Sequence, residues 1–85
     1  MVFRIIWDRK AFQSLDKLET IIARRIAKKV GELSESPFSR DVIRIKGEKA
    51  FRLRVGDYRI VFEIEGESIS VLKVGHRKNI YKRGF

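Results

Sequence analysis

From residue 8 onward the spacing of apolar residues changes once, near residue 40. Before that point apolar positions recur every three to four residues, as on one face of a helix; after it they alternate with polar ones, as in strands. Residues 2–7, from Val2 to Trp7, are rich in strand formers and predict a short first strand. Asp8 then offers an N-cap, and Ala11, Phe12, Leu15 and Leu18 follow at helical spacing. Thr20 is a second cap candidate. Beyond it Ile22, Ile26, Val30 and Leu33 form a stripe that Ala23 and Ala27 widen, with Arg24, Arg25, Lys28 and Lys29 opposite. Ser34 to Pro37 ends this second helix. Val42, Ile43 and Ile45 then suggest a strand. Phe51, Leu53 and Val55 alternate with Arg52 and Arg54, and Tyr58, Ile60, Phe62 and Ile64 alternate with Arg59, Val61 and Glu63. A last strand is expected over 68–75, followed by a basic tail, 76–85. The order β-α-α-β-β-β-β predicts an α+β fold: an N-terminal strand and a helix pair packed on one face of an antiparallel β-sheet. No linker or repeat interrupts it, so residues 1–85 read as a single domain.

The turn between the two best strands sets their register. Gly56 and Asp57 fit a two-residue hairpin loop. Val55 then faces Tyr58, Arg54 faces Arg59, Leu53 faces Ile60 and Arg52 faces Val61. The apolar members share the face that meets the helices, Tyr58 among them, and Arg52, Arg54 and Arg59 share the other. Like charges directly opposite in a sheet are destabilising, so Arg54 against Arg59 is a local conflict. Such conflicts concentrate at functional positions. Three guanidiniums on a rigid face suit bidentate grip of phosphates. A solvated polar face with Asp57 or Glu63 as counter-ion accounts for the same pattern.

Composition narrows the chemistry. The chain has 85 residues, with 44% hydrophobic and 36% charged, enough for one charged-surfaced globular unit. Its net charge of +9 favours a polyanionic partner, and the excess of Lys and Arg leans toward residues 40–85. Cysteine is absent, which removes disulfides, thiolate nucleophiles and thiolate metal ligands. Arg4, Asp8, Arg9 and Lys10 interrupt the only early apolar run, so no signal peptide is expected, and no stretch approaches the ~20 apolar residues of a membrane span. A cytoplasmic location without membrane association is the expectation. His76 is the only histidine, which excludes a two-histidine ribonuclease, and it reads as a satisfied or surface residue. Asp and Glu show no clustered ligand spacing, so no metal is expected. Gly47, Gly56, Gly66 and Gly75 fall at turns or strand ends and form no phosphate-binding glycine loop. Trp7 and the phenylalanines read as core.

Three segments together resemble the RelE/ParE superfamily of type II toxins: Ile45-Lys46-Gly47, then the run from Phe51 to Phe62 containing Arg52, Arg54, Gly56, Asp57, Tyr58 and Arg59, then Val74-Gly75-His76-Arg77-Lys78-Asn79-Ile80-Tyr81. The N-terminal strand and helix pair match the family order, so the likeness extends over nearly the whole chain and lies nearest the RelE branch.

The resemblance implies a RelE-like domain and an acidic RelB-like antitoxin that neutralises it. In the RelE branch it implies a ribosome-dependent mRNA endoribonuclease that cuts in the A site by attack of the 2′-hydroxyl on the adjacent phosphate, without metal or cofactor. Carried onto this chain, Arg54, Arg59, Arg77 and Tyr81 are the expected catalytic residues. Arg59 would stabilise charge on the phosphorane, Arg77 would hold the phosphate or assist the leaving group, and Tyr81 would activate the 2′-hydroxyl. Lys46, Lys49, Arg52, Lys78, Lys82 and Arg83 are the expected RNA-binding residues. The chain departs from the family pattern in carrying arginines rather than lysines on the strand before the turn. Arginine stays protonated, so Arg54 can stabilise charge but not move a proton. The alternative that the fold permits is a ParE-like toxin that inhibits DNA gyrase by protein binding. A third is a non-toxic binder of nucleic acid or acidic protein.

Overall fold

Asp8 separates the first strand from the first helix. Its extended backbone ends the strand, and its carboxylate accepts the Lys10 amide at 3.1 Å, satisfying one of the free N–H groups of the helix. The computed structural model describes residues 2–80. Its elements are β1 (Arg4–Trp7), α1 (Arg9–Asp16), α2 (Thr20–Glu32), β2 (Val42–Arg44), β3 (Ala50–Val55), β4 (Tyr58–Glu65) and β5 (Ser68–His76). This is the β-α-α-β-β-β-β order of the sequence reading. Thr20 is not a cap: it is the first helical residue, and Glu19 precedes it without a side-chain capping bond.

The strands form one sheet in the order β1-β5-β4-β3-β2. Three pairings are antiparallel, and β1 joins the far side of β5 in parallel, Arg4 against Ser68 through Trp7 against Val71. The β3–β4 register is the one the turn dictates, with Val55 opposite Tyr58 and Arg54 opposite Arg59. Gly56 has φ +57 and Asp57 does not share the positive φ, the pattern of a turn that needs glycine at its first central position. Gly66 makes the same turn before β5.

Between β4 and β5 the register shifts: Val61 faces Lys73 whereas Phe62 faces Val71. Leu72 is the extra residue of this bulge. Strict alternation would put Val71 and Val74 on opposite faces, and the bulge lets both enter one core.

That core lies between the sheet and the helices. α1 packs on β5 and α2 on β3. Ile26, Val30 and Leu33 of the second-helix stripe are buried against Leu53, Ile60, Phe62, Ile69 and Val71, with Tyr58 and Trp7 half-buried at its margin. Two aromatic residues depart from the expectation of core: Phe12 is 54% exposed and Phe38 67%. Phe38 lies on the rim, where its ring meets Phe51 edge-on, and Phe51 stacks on Phe62. Ala27 is exposed as well, at the outer end of the α1–α2 groove.

The opposite face of the sheet carries a smaller apolar cluster of Ala50, Val61 and Ile80, with Ile45 beside it. Ile80 reaches it because the chain doubles back after β5, the Asn79 and Ile80 amides both donating to the His76 carbonyl at 2.8 and 3.0 Å. Gly75 lies under this turn, where a Cβ would stand 3.5 Å from that of Ile80, an ordinary packing contact.

Candidate functional site

The conflict between Arg54 and Arg59 is real in the ladder and is resolved by their side-chain partners. Arg54 donates from Nη2 to Asp41 Oδ1 at 2.9 Å. Arg59 turns the other way and donates from Nη1 to the carbonyls of Gly56 at 2.8 Å and Tyr58 at 2.9 Å. One guanidinium is thus held by a carboxylate ahead of β2 and the other by the hairpin turn. Each guanidinium has acceptors of its own, which offsets the repulsion between two like charges on facing positions.

Between them lies a cleft of about 200 Å³, lined by Arg40, Asp41, Ile43, Arg52, Arg54 and Arg59. Arg52 is half-buried and sits between Ile43 and Val61 across the ladder. Four guanidiniums and one carboxylate therefore surround a space large enough for a phosphate group with its ester oxygens. Guanidiniums are permanently charged planar donors, and a rigid sheet keeps them in place, so the arrangement suits an oxyanion carrying more than one acceptor oxygen.

Arg77 stands on the other side of the same turn. Its amide donates to the Asp57 carbonyl at 2.8 Å and its Nε lies 3.6 Å from Asp57 Oδ1. Arg59 and Arg77 are therefore both anchored on Gly56-Asp57, one on each residue. Arg25 of α2 also approaches this turn, its Nη1 lying 3.9 Å from where a Gly56 Cβ would stand.

The remaining expected residues are more scattered. Lys46 and Lys49 are exposed on the turn between β2 and β3, around a separate hollow with Arg44, Ile45 and Glu48. Lys49 is separated from Arg54 by the length of β3, roughly 13 Å from Ala50 to Arg54 at the rise of a strand. Lys78 is exposed, and its amide donates to His76 Nδ1 at 3.1 Å. The histidine ring also packs edge-on against Tyr58. His76 is thus a satisfied residue. Tyr81, Lys82 and Arg83 lie outside the described residues. Among the described residues no three His, Cys, Asp or Glu side chains converge as metal ligands would.

Arg40 and Asp41 were not singled out by the sequence reading. The signal for them was the β2–β3 register: extending Val42 against Leu53 by one position sets Asp41 against Arg54. The five-residue connection from Ile45 to Lys49 left that register open in the sequence.

Residues 5–81 match the family model described as the ParE toxin of type II toxin–antitoxin system, parDE. Over 42 residues the chain is 48% identical to toxin RelE3 of Methanocaldococcus jannaschii, a stretch covering 48% of this chain and 48% of the relative. That match therefore spans about half the length of the curated relative. Among solved structures, the archaeal RelE–RelB complex from Pyrococcus horikoshii superimposes with a TM-score of 0.81 at 26% identity, covering 93% of this chain and 99% of that one. The RelB–RelE complex from Methanococcus jannaschii gives 0.74 at 31% identity, covering 89% and 94%.

Proposed function

Because the chain belongs to the ParE toxin family of type II toxin–antitoxin systems, close to the RelE branch of the RelE/ParE superfamily, we propose that it is a ribosome-dependent mRNA endoribonuclease. The observation that carries this reading is the cleft in which Arg52, Arg54 and Arg59 meet, with Arg77 anchored on the adjoining turn. In the proposed reaction the 2′-oxygen of one nucleotide bonds to the phosphorus of the next linkage while the bond to the 5′-oxygen breaks. The products are a 2′,3′-cyclic phosphate and a 5′-hydroxyl, so neither a metal nor a water nucleophile enters the step.

The roles follow from charge and position. Arg54 and Arg59 face each other across the ladder and would hold the two non-bridging oxygens, whose negative charge grows in the phosphorane. Arg77 would bind the phosphate from the turn side or stabilise the leaving oxygen. Tyr81 would take the 2′-proton, the role that the family resemblance implies for it. Arg54 and its neighbours stay protonated throughout, so proton movement is assigned to Tyr81 and to ribosomal groups. Lys46, Lys49, Lys78, Lys82 and Arg83 would contact the RNA backbone beyond the scissile linkage. An acidic RelB-like antitoxin is the proposed neutralising partner, by analogy with the complexes above, and the cytoplasm the proposed location. No helix among the described residues is long and apolar enough to cross a membrane.

The test is primer extension on a defined mRNA incubated with purified 70S ribosomes, with the same mRNA alone as control. Codon-phased cuts that require the ribosome are expected, and a Tyr81→Phe, Arg77→Ala double variant should reduce them by roughly a hundredfold or more. The second reading, gyrase inhibition by protein binding, is favoured by the ParE description of the matched family and by arginine standing where the RelE pattern has lysine. A wild-type protein that stops growth without cutting RNA, and stays toxic as Tyr81→Phe, would replace the nuclease reading with that one.

A further inference from the structure

Residues 40 and 41 precede β2, yet the backbone fixes them to β3. The Arg54 amide donates to the Asp41 carbonyl at 2.9 Å, the Arg54 guanidinium reaches the Asp41 carboxylate at 2.9 Å, and the Asp41 amide is held by Ser39 Oγ at 3.3 Å. Arg40 thus extends from anchored backbone into the cleft it shares with Arg52, Arg54 and Arg59. Arg54 and Arg59 each commit donors to Asp41 or to turn carbonyls. Arg40 makes no ion pair or side-chain hydrogen bond with any described residue, so its whole fork of donors is open.

Beside these cations lies an apolar surface. Ile43 lines the same cleft, pairs across the ladder with Arg52 and is 48% exposed. An exposed aliphatic side chain bordering guanidiniums offers a ribose or base face a seat next to its own phosphate. An acidic peptide would use the charges but has no need of that seat. We infer that Arg40 is a further substrate-binding residue, gripping the phosphodiester backbone of single-stranded RNA on the β2 side of the Arg54–Arg59 pair. This rests on the reading that the cleft takes RNA phosphate. Asp41 is the counter-charge that allows four arginines to line one cleft, and it holds Arg54 at 2.9 Å.

The experiment is fluorescence anisotropy of a labelled single-stranded RNA oligonucleotide titrated with the full chain over a series of salt concentrations. No ribosome is present, so binding is read apart from cleavage. Arg40→Ala should lower the slope of log K against log salt by about 0.7 and weaken binding on the order of fivefold at roughly 0.1 M salt, the signature of one lost phosphate contact on a single strand. Arg40→Lys should restore the slope. Arg24→Ala, on α2 across the core from the cleft, makes the same charge change and should leave the slope as in the wild type. An Arg40→Ala slope equal to wild type overturns the inference, and so does an equal loss in Arg24→Ala, which would mean a general positive field. Wild-type protein that binds an acidic peptide but not the RNA would instead overturn the reading of the cleft itself.

Discussion

Asp41 holds Arg54 by one oxygen, in a pair whose arginine side chain is 61% exposed. Water competes for such a contact, so its effect on stability is small even though its effect on position is large. Asp41→Ala should therefore change the urea-unfolding free energy by less than about 1 kcal/mol. A loss of several kcal/mol would mean that the carboxylate is a structural keystone rather than a holder of one guanidinium. At this scale the sequence was legible where a residue acts on its immediate neighbours. Asp8 caps α1 as its position implies, and Arg54 meets Arg59. It was less legible where a residue acts through a partner distant in sequence, as Asp41 does thirteen positions from Arg54. Thr20 failed as a cap because the chain enters α2 one residue earlier, with Glu19 in extended backbone.

The hairpin of β3 and β4 is the element on which the site depends. Its turn fixes the register, its carbonyls hold Arg59, and its Asp57 holds Arg77. Gly56→Ala places a Cβ where only the flexible end of Arg25 is near, so crowding is not the penalty. The penalty is the positive φ, which disfavours an L-residue by roughly 1–2 kcal/mol. That loss is expected in denaturant titration; a variant as stable as wild type would show that the turn relaxes to another type without cost. Hairpins were readable because the side-chain period and the turn residues fix them together. The bulge at Leu72 and the parallel addition of β1 were not. A bulge is a local choice set by the two cores that β5 must serve, and the partner of an edge strand is decided by the assembled sheet. Phe12 is exposed because it lines the open groove between α1 and α2, a placement that depends on how the two helices pack.

At the scale of the whole molecule the positive charge sits on a small body, 32 × 29 × 25 Å in extent, with a net charge of +9 over the sequence. An acidic partner of the proposed kind would be drawn to it from a distance and released by screening. Calorimetric titration of the chain with the proposed acidic antitoxin should give an affinity on the order of tenfold or more weaker at about 0.5 M salt than at about 0.05 M. An affinity unchanged over that range would assign the complex to apolar contacts alone, for which Phe12 and Ile21, 54% and 71% exposed on the helix pair, are the available groups. The α+β layering was legible from the single change of period near residue 40. The second apolar cluster was not, because Ile80 joins Val61 and Ala50 only through the reversal after His76.

The pairing of β1 with β5 has a consequence in time. Arg4 waits for Ser68, so the earliest strand to be synthesised has no ladder until the latest one arrives. Closing so long a loop slows folding relative to the local hairpins. During translation the hairpin of β3 and β4 can form while β1 and α1 remain unsupported, and the sheet becomes whole only once residues 68–76 are free of the synthesising machinery. The order of the strands thus lets the hairpin that carries Arg54 and Arg59 precede the sheet that β1 and β5 complete.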